Sequence, residues 1–145
     1  MGAIISAISG ALVFLKDGAR SLLNSVVDLM KSLLDKLKAL FSWKSDDEVL
    51  MKIKGIGTYK NGNTTLKMEG GKATIIRKNK KTVSVAVGST LKDLGGAITD
   101  LGDKIDDPNA SEQDTQKAYE TMQSQSAQAK KNFELIANAL PQSVN

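Results

Sequence analysis

Apolar residues repeat with a helical period through the first third of the chain. Large aliphatic residues follow one another there at steps of four, three, four and four: Leu22, Val26, Leu29, Leu33 and Leu37. This spacing, with a second apolar row beside it, predicts an amphipathic helix with a wide apolar face. Residues 2–15 upstream are almost continuously apolar. We therefore expect a long N-terminal helical region over residues 1–45. Its face toward a membrane or a partner would consist of Ile4, Ile5, Ile8, Leu12, Phe14, Leu15, Leu22, Val26, Leu29, Leu33, Leu37, Phe41 and Trp43.

The period changes from helical to alternating at Val49. Val49, Met51 and Ile53 alternate with Leu50, Lys52 and Lys54, which is typical of a strand, and residues 45–48 before them are interpreted as a linker. Asn61-Gly62 is typical of a type I′ hairpin turn, and Gly70-Gly71 indicates a second tight turn. Further strands are predicted at 64–69, 73–78 and 82–87. Residues 49–88 are therefore predicted to form a four-stranded antiparallel β meander.

The last segment, residues 89–145, returns to a helical period. Pro108 and Asn109 indicate a turn, Ser111 with Asp114 forms a capping box, and Pro141 ends the pattern, so an antiparallel helical hairpin is predicted. Its two apolar seams are narrow and bury little surface, so we expect other helices, including those of further copies, to complete them. The predicted self-association residues are Leu91, Leu94, Ile98, Leu101, Ile105, Met122, Phe133, Ile136 and Leu140.

The overall expectation is an α+β protein built from three segments that differ in charge. Residues 1–48 carry equal numbers of acidic and basic side chains, whereas residues 49–88 carry nine basic side chains against Glu69 alone. Residues 89–145 carry five basic and nine acidic side chains. These differences support three structural modules.

Histidine and cysteine are both absent from the 145 residues. The chain therefore lacks the commonest general base, a thiolate nucleophile and the usual nitrogen and sulfur ligands of zinc or copper. No Gly-rich phosphate loop or nucleophile motif is present. We expect a protein that is not an enzyme and has no cofactor, no metal and no catalytic residue.

The apolar start of the chain matches a targeting segment poorly. It has no basic region before it and no A-x-A cleavage site, and Lys16, Asp17 and Arg20 follow at once. As a helix, residues 2–15 would span only ~21 Å, less than the ~30 Å hydrocarbon core of a bilayer. Gly2 with Ser6 matches the short N-myristoylation pattern, for which the alternative is simply an apolar helix start.

The C-terminal stretch resembles the helical hairpin of type III secretion needle and inner-rod subunits over about residues 91–140. The resemblance lies in a helix, a turn with Asp107, Pro108 and Asn109, and a Gln-rich second helix with an apolar end: KIDDPNASEQDTQKAYETMQSQSAQAKKNFELIANAL. The order of helix, β module and C-terminal helix is also similar to flagellar axial proteins. The basic sheet and the apolar N-terminal helix depart from the needle pattern. The resemblance implies a homo-oligomer that polymerises helically into a tube, and a secreted or cell-surface location without a cleaved signal peptide.

Three functions remain open at this point. The first is a structural subunit that self-assembles through its helices into a secretion-type filament or tube, for which the alternative is a monomeric α+β domain whose N-terminal helix covers the sheet. The second is a membrane-active protein, interfacial or pore-forming, that acts through residues 2–43 and is membrane-associated. The third is nucleic-acid binding by the basic β module, which the lack of stacking aromatics other than Tyr59 makes the weakest. Its phosphate-binding candidates are Lys52, Lys54, Lys60, Lys67, Lys72, Arg77, Lys78, Lys80 and Lys81.

Overall fold

The protein has an α+β fold, as predicted, with four helices and one four-stranded antiparallel sheet in the part that the structure describes. The computed structural model describes residues 17–141, without the side chains of residues 17–20 and of Leu22. In chain order the elements are α1 (Asp17–Phe41), α2 (Asp46–Lys54), β1 (Gly57–Asn61), β2 (Thr64–Glu69), β3 (Lys72–Arg77), β4 (Val83–Ala86), α3 (Val87–Asp106) and α4 (Glu112–Ala139).

Helix α2 corrects the sequence prediction of a linker followed by a strand. Ser45 is the N-cap, since its side chain accepts a hydrogen bond from the Glu48 backbone N–H at 3.1 Å. Acidic residues occupy the first turn and lysines the last, as the helix dipole favours. Val49 and Ile53 are buried whereas Met51 is 63% exposed, so burial repeats every four residues and not every two. The apparent alternation is one narrow helical stripe, and the first strand is β1.

The sheet is the predicted meander, with the strand order β1-β2-β3-β4 and every neighbouring pair antiparallel. Strand β2 has the predicted limits, whereas Val87 belongs to α3 and not to the last strand. The β1–β2 turn is Gly62-Asn63 between the paired residues Asn61 and Thr64. Only Gly62 has a positive φ, of 58°, so the type I′ prediction was wrong, because that turn needs a positive φ at both central positions.

The two faces of the sheet differ completely. One face is packed under the helices through Leu66, Met68, Ala73, Ile75 and Val85, which are all buried. The other face carries the alternate residues of the same strands, which are mainly lysine, threonine and serine: Thr58, Lys60, Thr65, Lys67, Glu69, Lys72, Thr74, Ile76, Ser84 and Ala86. No helix of the described chain covers that face, and Thr74 and Ser84 hydrogen-bond across it at 3.1 Å.

Helix α4 packs against both α3 and α1. The Asn132 side-chain amide donates to the Thr90 hydroxyl at 2.8 Å, which sets the antiparallel register of α3 and α4. The Lys36 ammonium donates to the Ala137 carbonyl at 3.3 Å, so the C-terminal ends of α1 and α4 lie together. Since an α-helix rises ~1.5 Å per residue, the start of α1 lies level with the first turns of α4. The three helices therefore form a bundle, and its α3–α4 turn is remote from the sheet.

The described residues share one hydrophobic core to which all four helices and the sheet contribute. One cluster of buried residues includes Leu23 and Val26 of α1, Ile75 of the sheet, Leu94 of α3 and Met122 of α4. Helix α1 and the sheet cover the hairpin seams, so α1 is one of the other helices that the sequence predicts will complete them, and a contribution from further copies stays a prediction. All four helices contact the sheet, so α1 covers it together with the hairpin and α2.

The β2–β3 turn packs directly against the start of α3. The Gly88 backbone N–H donates to the Gly71 carbonyl at 2.8 Å. A Cβ atom at Gly71 would lie 3.2 Å from the Gly88 Cα, and Gly71 also has a positive φ of 77°. This contact fixes where the chain leaves the sheet for the bundle, and two backbones come that close only where side chains are absent.

Candidate interaction surfaces

The predicted self-association residues lie mostly inside the chain. Eight of them are buried in the common core: Leu91, Leu94, Ile98, Leu101, Met122, Phe133, Ile136 and Leu140. Ile105 is 37% exposed at the end of α3. In this fold the two seams are contacts between α3, α4, α1 and the sheet, and of the nine residues Ile105 alone is exposed.

The predicted membrane or partner face divides into three groups. Ile4, Ile5, Ile8, Leu12, Phe14 and Leu15 lie outside the described residues, as does the side chain of Leu22. Val26, Leu33, Leu37 and Trp43 are buried in the core, and Leu29 and Phe41 are partly buried against it. Within residues 17–141, no helix has the length and the apolarity needed to cross a bilayer.

The aromatic residues at the end of α1 pack on one another. Trp43 meets the Tyr59 ring edge-on at a centroid distance of 4.9 Å, and Phe41 lies 5.1 Å from Trp43. The Lys52 ammonium sits 5.4 Å from the Tyr59 ring centroid. Tyr59, the aromatic considered for base stacking, is therefore engaged with Trp43 on the covered side of the sheet.

Within residues 17–141, no group of three or more acidic side chains could hold a metal ion. Lys38 joins α1 to α2 through Asp46 at 2.8 Å and also contacts Asp35 at 3.4 Å. The hydrogen bond to Asp46 raises the pKa of Lys38 above its ordinary value, and partial desolvation opposes that rise. This ion pair has an evident structural role, since it ties the two helices across their connection.

Basic side chains gather where two of the sheet's turns meet. The β1–β2 and β3–β4 turns share one end of the sheet, because consecutive antiparallel strands put alternate turns at the same end. We call this the basic end and define it by Lys60, Arg77, Lys78, Lys80 and Lys81. The four lysines are exposed, and within residues 17–141 none of the five side chains forms an ion pair.

Acidic side chains gather at the α3–α4 turn. We call this the acidic end and define it by Asp103, Asp106, Asp107, Glu112 and Asp114, all of which are exposed. Two of them serve the local fold: the Asp107 carboxylate accepts from the Asn109 backbone N–H, and Asp114 lies in the first turn of α4.

Two lysines lie close to the acidic end without neutralising it. Lys104 is paired with Asp100 at 3.6 Å, and Lys117 lies further along α4. Asp106 sits in the last turn of α3, where the helix dipole disfavours a negative charge. Among the described side chains, none forms an ion pair with the five carboxylates of the acidic end.

The two charged ends lie at opposite ends of the bundle. Helix α4 starts at the acidic end, and its last residues line a cleft with Arg77, Lys78 and Lys80 of the basic end. Its 28 residues correspond to ~40 Å of helix. The sequence showed the sign of each segment's charge but not this placement, which depends on how α3 and α4 turn back onto the sheet.

A comparison with protein-family models, with curated proteins and with solved structures finds no match for the chain.

Proposed function

We propose that the protein is a non-catalytic structural subunit that self-assembles head to tail, with the acidic end of one copy against the basic end of the next. The observation that carries the proposal is that the length of α4 separates an acidic and a basic cluster, neither of which forms an ion pair among the described side chains. A contact between two different surfaces of identical copies repeats from copy to copy, so it generates a filament or a ring. The proposal keeps the self-assembly that the sequence suggested, but it moves the contact from the seams to the ends.

The expected contact is small and electrostatic. Two helix ends, each ~10 Å across, present on the order of 300 Å² with their turn, below the ~800 Å² per partner of a stable complex. Charge complementarity supports specificity and rapid association more than it supports affinity. We therefore expect weak, concentration-dependent assembly that salt suppresses, because exposed charges are screened beyond ~10 Å at 0.1 M ionic strength.

Sedimentation velocity over a concentration series tests the proposal directly. At an ionic strength of about 0.02 M the weight-average sedimentation coefficient should rise with concentration, and at about 0.5 M it should fall to the monomer value. A monomer at every concentration in low salt would refute self-assembly. Assembly that high salt leaves unchanged would refute the electrostatic contact.

Charge-reversed variants identify the two surfaces. Lys60→Glu with Lys81→Glu lowers the charge of the basic end from +5 to +1, and Asp103→Lys with Asp106→Lys lowers the charge of the acidic end from −5 to −1, so each pair of changes removes most of the attraction. Each double variant alone should stay monomeric. An equimolar mixture should associate again, because the unchanged acidic end of the first variant meets the unchanged basic end of the second. Failure of the mixture to assemble, with both variants folded, would show that these ends do not meet.

Matched controls separate this contact from net charge. Lys31→Glu with Lys131→Glu carries the same charge change as the basic-end variant, and Asp28→Lys with Glu134→Lys matches the acidic-end variant. All four residues are exposed on the helices and away from both ends. The control variants should assemble like the wild type, whereas equal loss of assembly in them would indicate nonspecific attraction.

Nucleic-acid binding is the second candidate, favoured by the uncovered sheet face. Lys67 and Lys72 are exposed there and have no ion pair within the described residues. Such a face would bind phosphates without reading bases, so affinity for labelled DNA should fall steeply with salt. Lys67→Ala with Lys72→Ala should weaken that binding and leave head-to-tail assembly unchanged. No retardation of DNA by the wild type in low salt would eliminate this candidate.

A further inference from the structure

A cleft opens beside the basic end, between the sheet's turns and the end of α4. Its volume is about 550 Å³, within the ~300–1,000 Å³ range of small-molecule sites. Its lining includes the basic residues Arg77, Lys78 and Lys80 and the amide residues Asn63 and Asn138. No carboxylate of the described residues lines it, so three basic residues share a concave surface without a counter-charge from that part of the chain.

Arg77 is held in place but keeps most of its hydrogen-bonding capacity. It pairs with Thr64 in the β2–β3 register, and its Nη2 donates to the Lys81 carbonyl at 2.8 Å. Its Nε is buried and has no hydrogen-bond partner. A guanidinium carries five N–H donors in a fixed fork that matches the geometry of phosphate and carboxylate groups. The bond to Lys81 positions that fork at the wall of the cleft.

The two lysines are placed by the β3–β4 turn. The Lys80 backbone N–H donates to the Arg77 carbonyl at 3.4 Å, and Asn79 between the lysines has a positive φ of 59°. Asparagine tolerates this conformation better than most residues. The turn therefore has a defined shape, although both lysine side chains are exposed.

The C-terminal end of α4 opposes an anion in this cleft, because helix carbonyls give that end a partial negative charge. Part of this opposition is removed, since the Ala137 carbonyl already accepts from Lys36 at 3.3 Å. Three full positive charges exceed the roughly half charge of a helix end, so the balance in the cleft favours anions.

We propose that this cleft binds an oxyanion of the phosphate class, carried by a small phosphorylated molecule. Arg77 supplies the fork, Lys78 and Lys80 supply charge, and the amides of Asn63 and Asn138 supply neutral donors. The cleft binds a small anion, whereas the assembly contact binds a second copy of the chain. A bound anion would nevertheless reduce the positive charge of the basic end. Occupancy of the cleft should therefore weaken head-to-tail assembly.

Isothermal titration with inorganic pyrophosphate tests the site. The protein for this test is the Asp103→Lys, Asp106→Lys variant, in which assembly is blocked and both changes are remote from the cleft. Saturable binding of one pyrophosphate is expected, about tenfold weaker in each of Lys78→Ala and Lys80→Ala. Arg77→Lys keeps the charge but loses the fork, so it should also weaken binding.

Two comparisons make the result decisive. Lys31→Ala removes one charge from α1 away from the cleft and should leave the affinity unchanged. Citrate should bind more weakly than pyrophosphate. The proposal is overturned by absence of saturable binding, by equal loss in Lys31→Ala, or by citrate binding at least as tightly as pyrophosphate. Because binding is measured without assembly, the two proposals fail independently.

Discussion

At the residue scale, the two adjacent glycines of the β2–β3 turn differ in the space around them. Gly70 and Gly71 both have positive φ, but a Cβ at Gly70 would meet nothing within 4 Å whereas one at Gly71 would press on Gly88. Gly70→Ala should cost ~1 kcal/mol, the price of a left-handed conformation for a residue with a Cβ. Gly71→Ala should cost distinctly more, because the start of α3 must also move. Urea unfolding of the two variants measures the difference, and equal losses would mean that the contact with Gly88 is not tight.

Phe133 tests whether the hairpin seam belongs to the fold or to an interface. It is 3% exposed, whereas Leu135, two residues further along α4, is 45% exposed. Phe133→Ala should lower the free energy of unfolding by ~3–5 kcal/mol through lost burial and a residual cavity. Leu135→Ala should change it far less. Chemical unfolding of dilute monomer provides the measurement. If Phe133→Ala kept wild-type stability but lost assembly, the seam would be an interface after all.

At the element scale, the sequence predicted the helices and strands that have clear turn or capping signals. It failed for a short segment whose apolar residues fit both a helical and a strand period. Strand β2 and the start of α4 were predicted correctly, because glycine turns bound the strand and Ser111 with Asp114 marks the helix start. Helix α2 was missed because nine residues show barely two turns, too few to separate a period of four from a period of two. Ser45 with Glu48 three residues later is the same kind of capping signal as at Ser111, so the helix was detectable.

Removing the hydroxyl oxygen of Ser45 tests how much the N-cap stabilises α2. Ser45→Ala should destabilise the protein by ~1 kcal/mol, because the Glu48 backbone N–H loses its acceptor. Ser32 is exposed in the middle of α1 and makes no cap, so Ser32→Ala should be neutral or slightly stabilising. Thermal unfolding of both variants checks the contrast. A Ser45→Ala protein as stable as the wild type would show that α2 is held by packing alone.

At the scale of the whole molecule, two deletions separate the residues before α1 from α1 itself, which contributes the first buried residues of the core. The buried core residues of the described chain start at Leu23, so deleting residues 2–16 should preserve cooperative unfolding. Deleting residues 2–43 removes α1 and should abolish the fold. Circular dichroism and thermal melts give the first comparison. Loss of cooperative unfolding in the shorter deletion would show that residues 2–16 are part of the core.

The same pair of proteins tests the membrane alternative. If residues 2–16 contact lipid, the full chain should float with neutral phosphatidylcholine vesicles and the shorter deletion should not. Neutral vesicles are the suitable probe because α1 starts beside the acidic end, which an anionic bilayer would repel. Equal flotation of both proteins would place any lipid contact elsewhere.

The candidate surfaces depended on long-range geometry and were therefore only partly predictable. Composition showed that the sheet is basic and the hairpin acidic, but residues such as Leu101 and Phe133 read equally well as an interface or as a core. The packing of α1 against the hairpin distinguishes a core residue from an interface residue here. Periodicity within one helix carries no information about that packing.

The pairing of α1 with α4 also has a consequence for biosynthesis. Lys36 and the Ala137 carbonyl, which join the two helices, are 101 residues apart in the chain. At ~5–20 residues per second, α1 would leave the ribosome on the order of ten seconds before its partner helix. During that interval the face containing Val26, Met30 and Leu34 has no native cover from α4. The nascent chain should therefore present a binding site for holdase chaperones that disappears only when α4 emerges, and ribosome-bound chains stalled before residue 112 should be far more protease-sensitive than full-length chains.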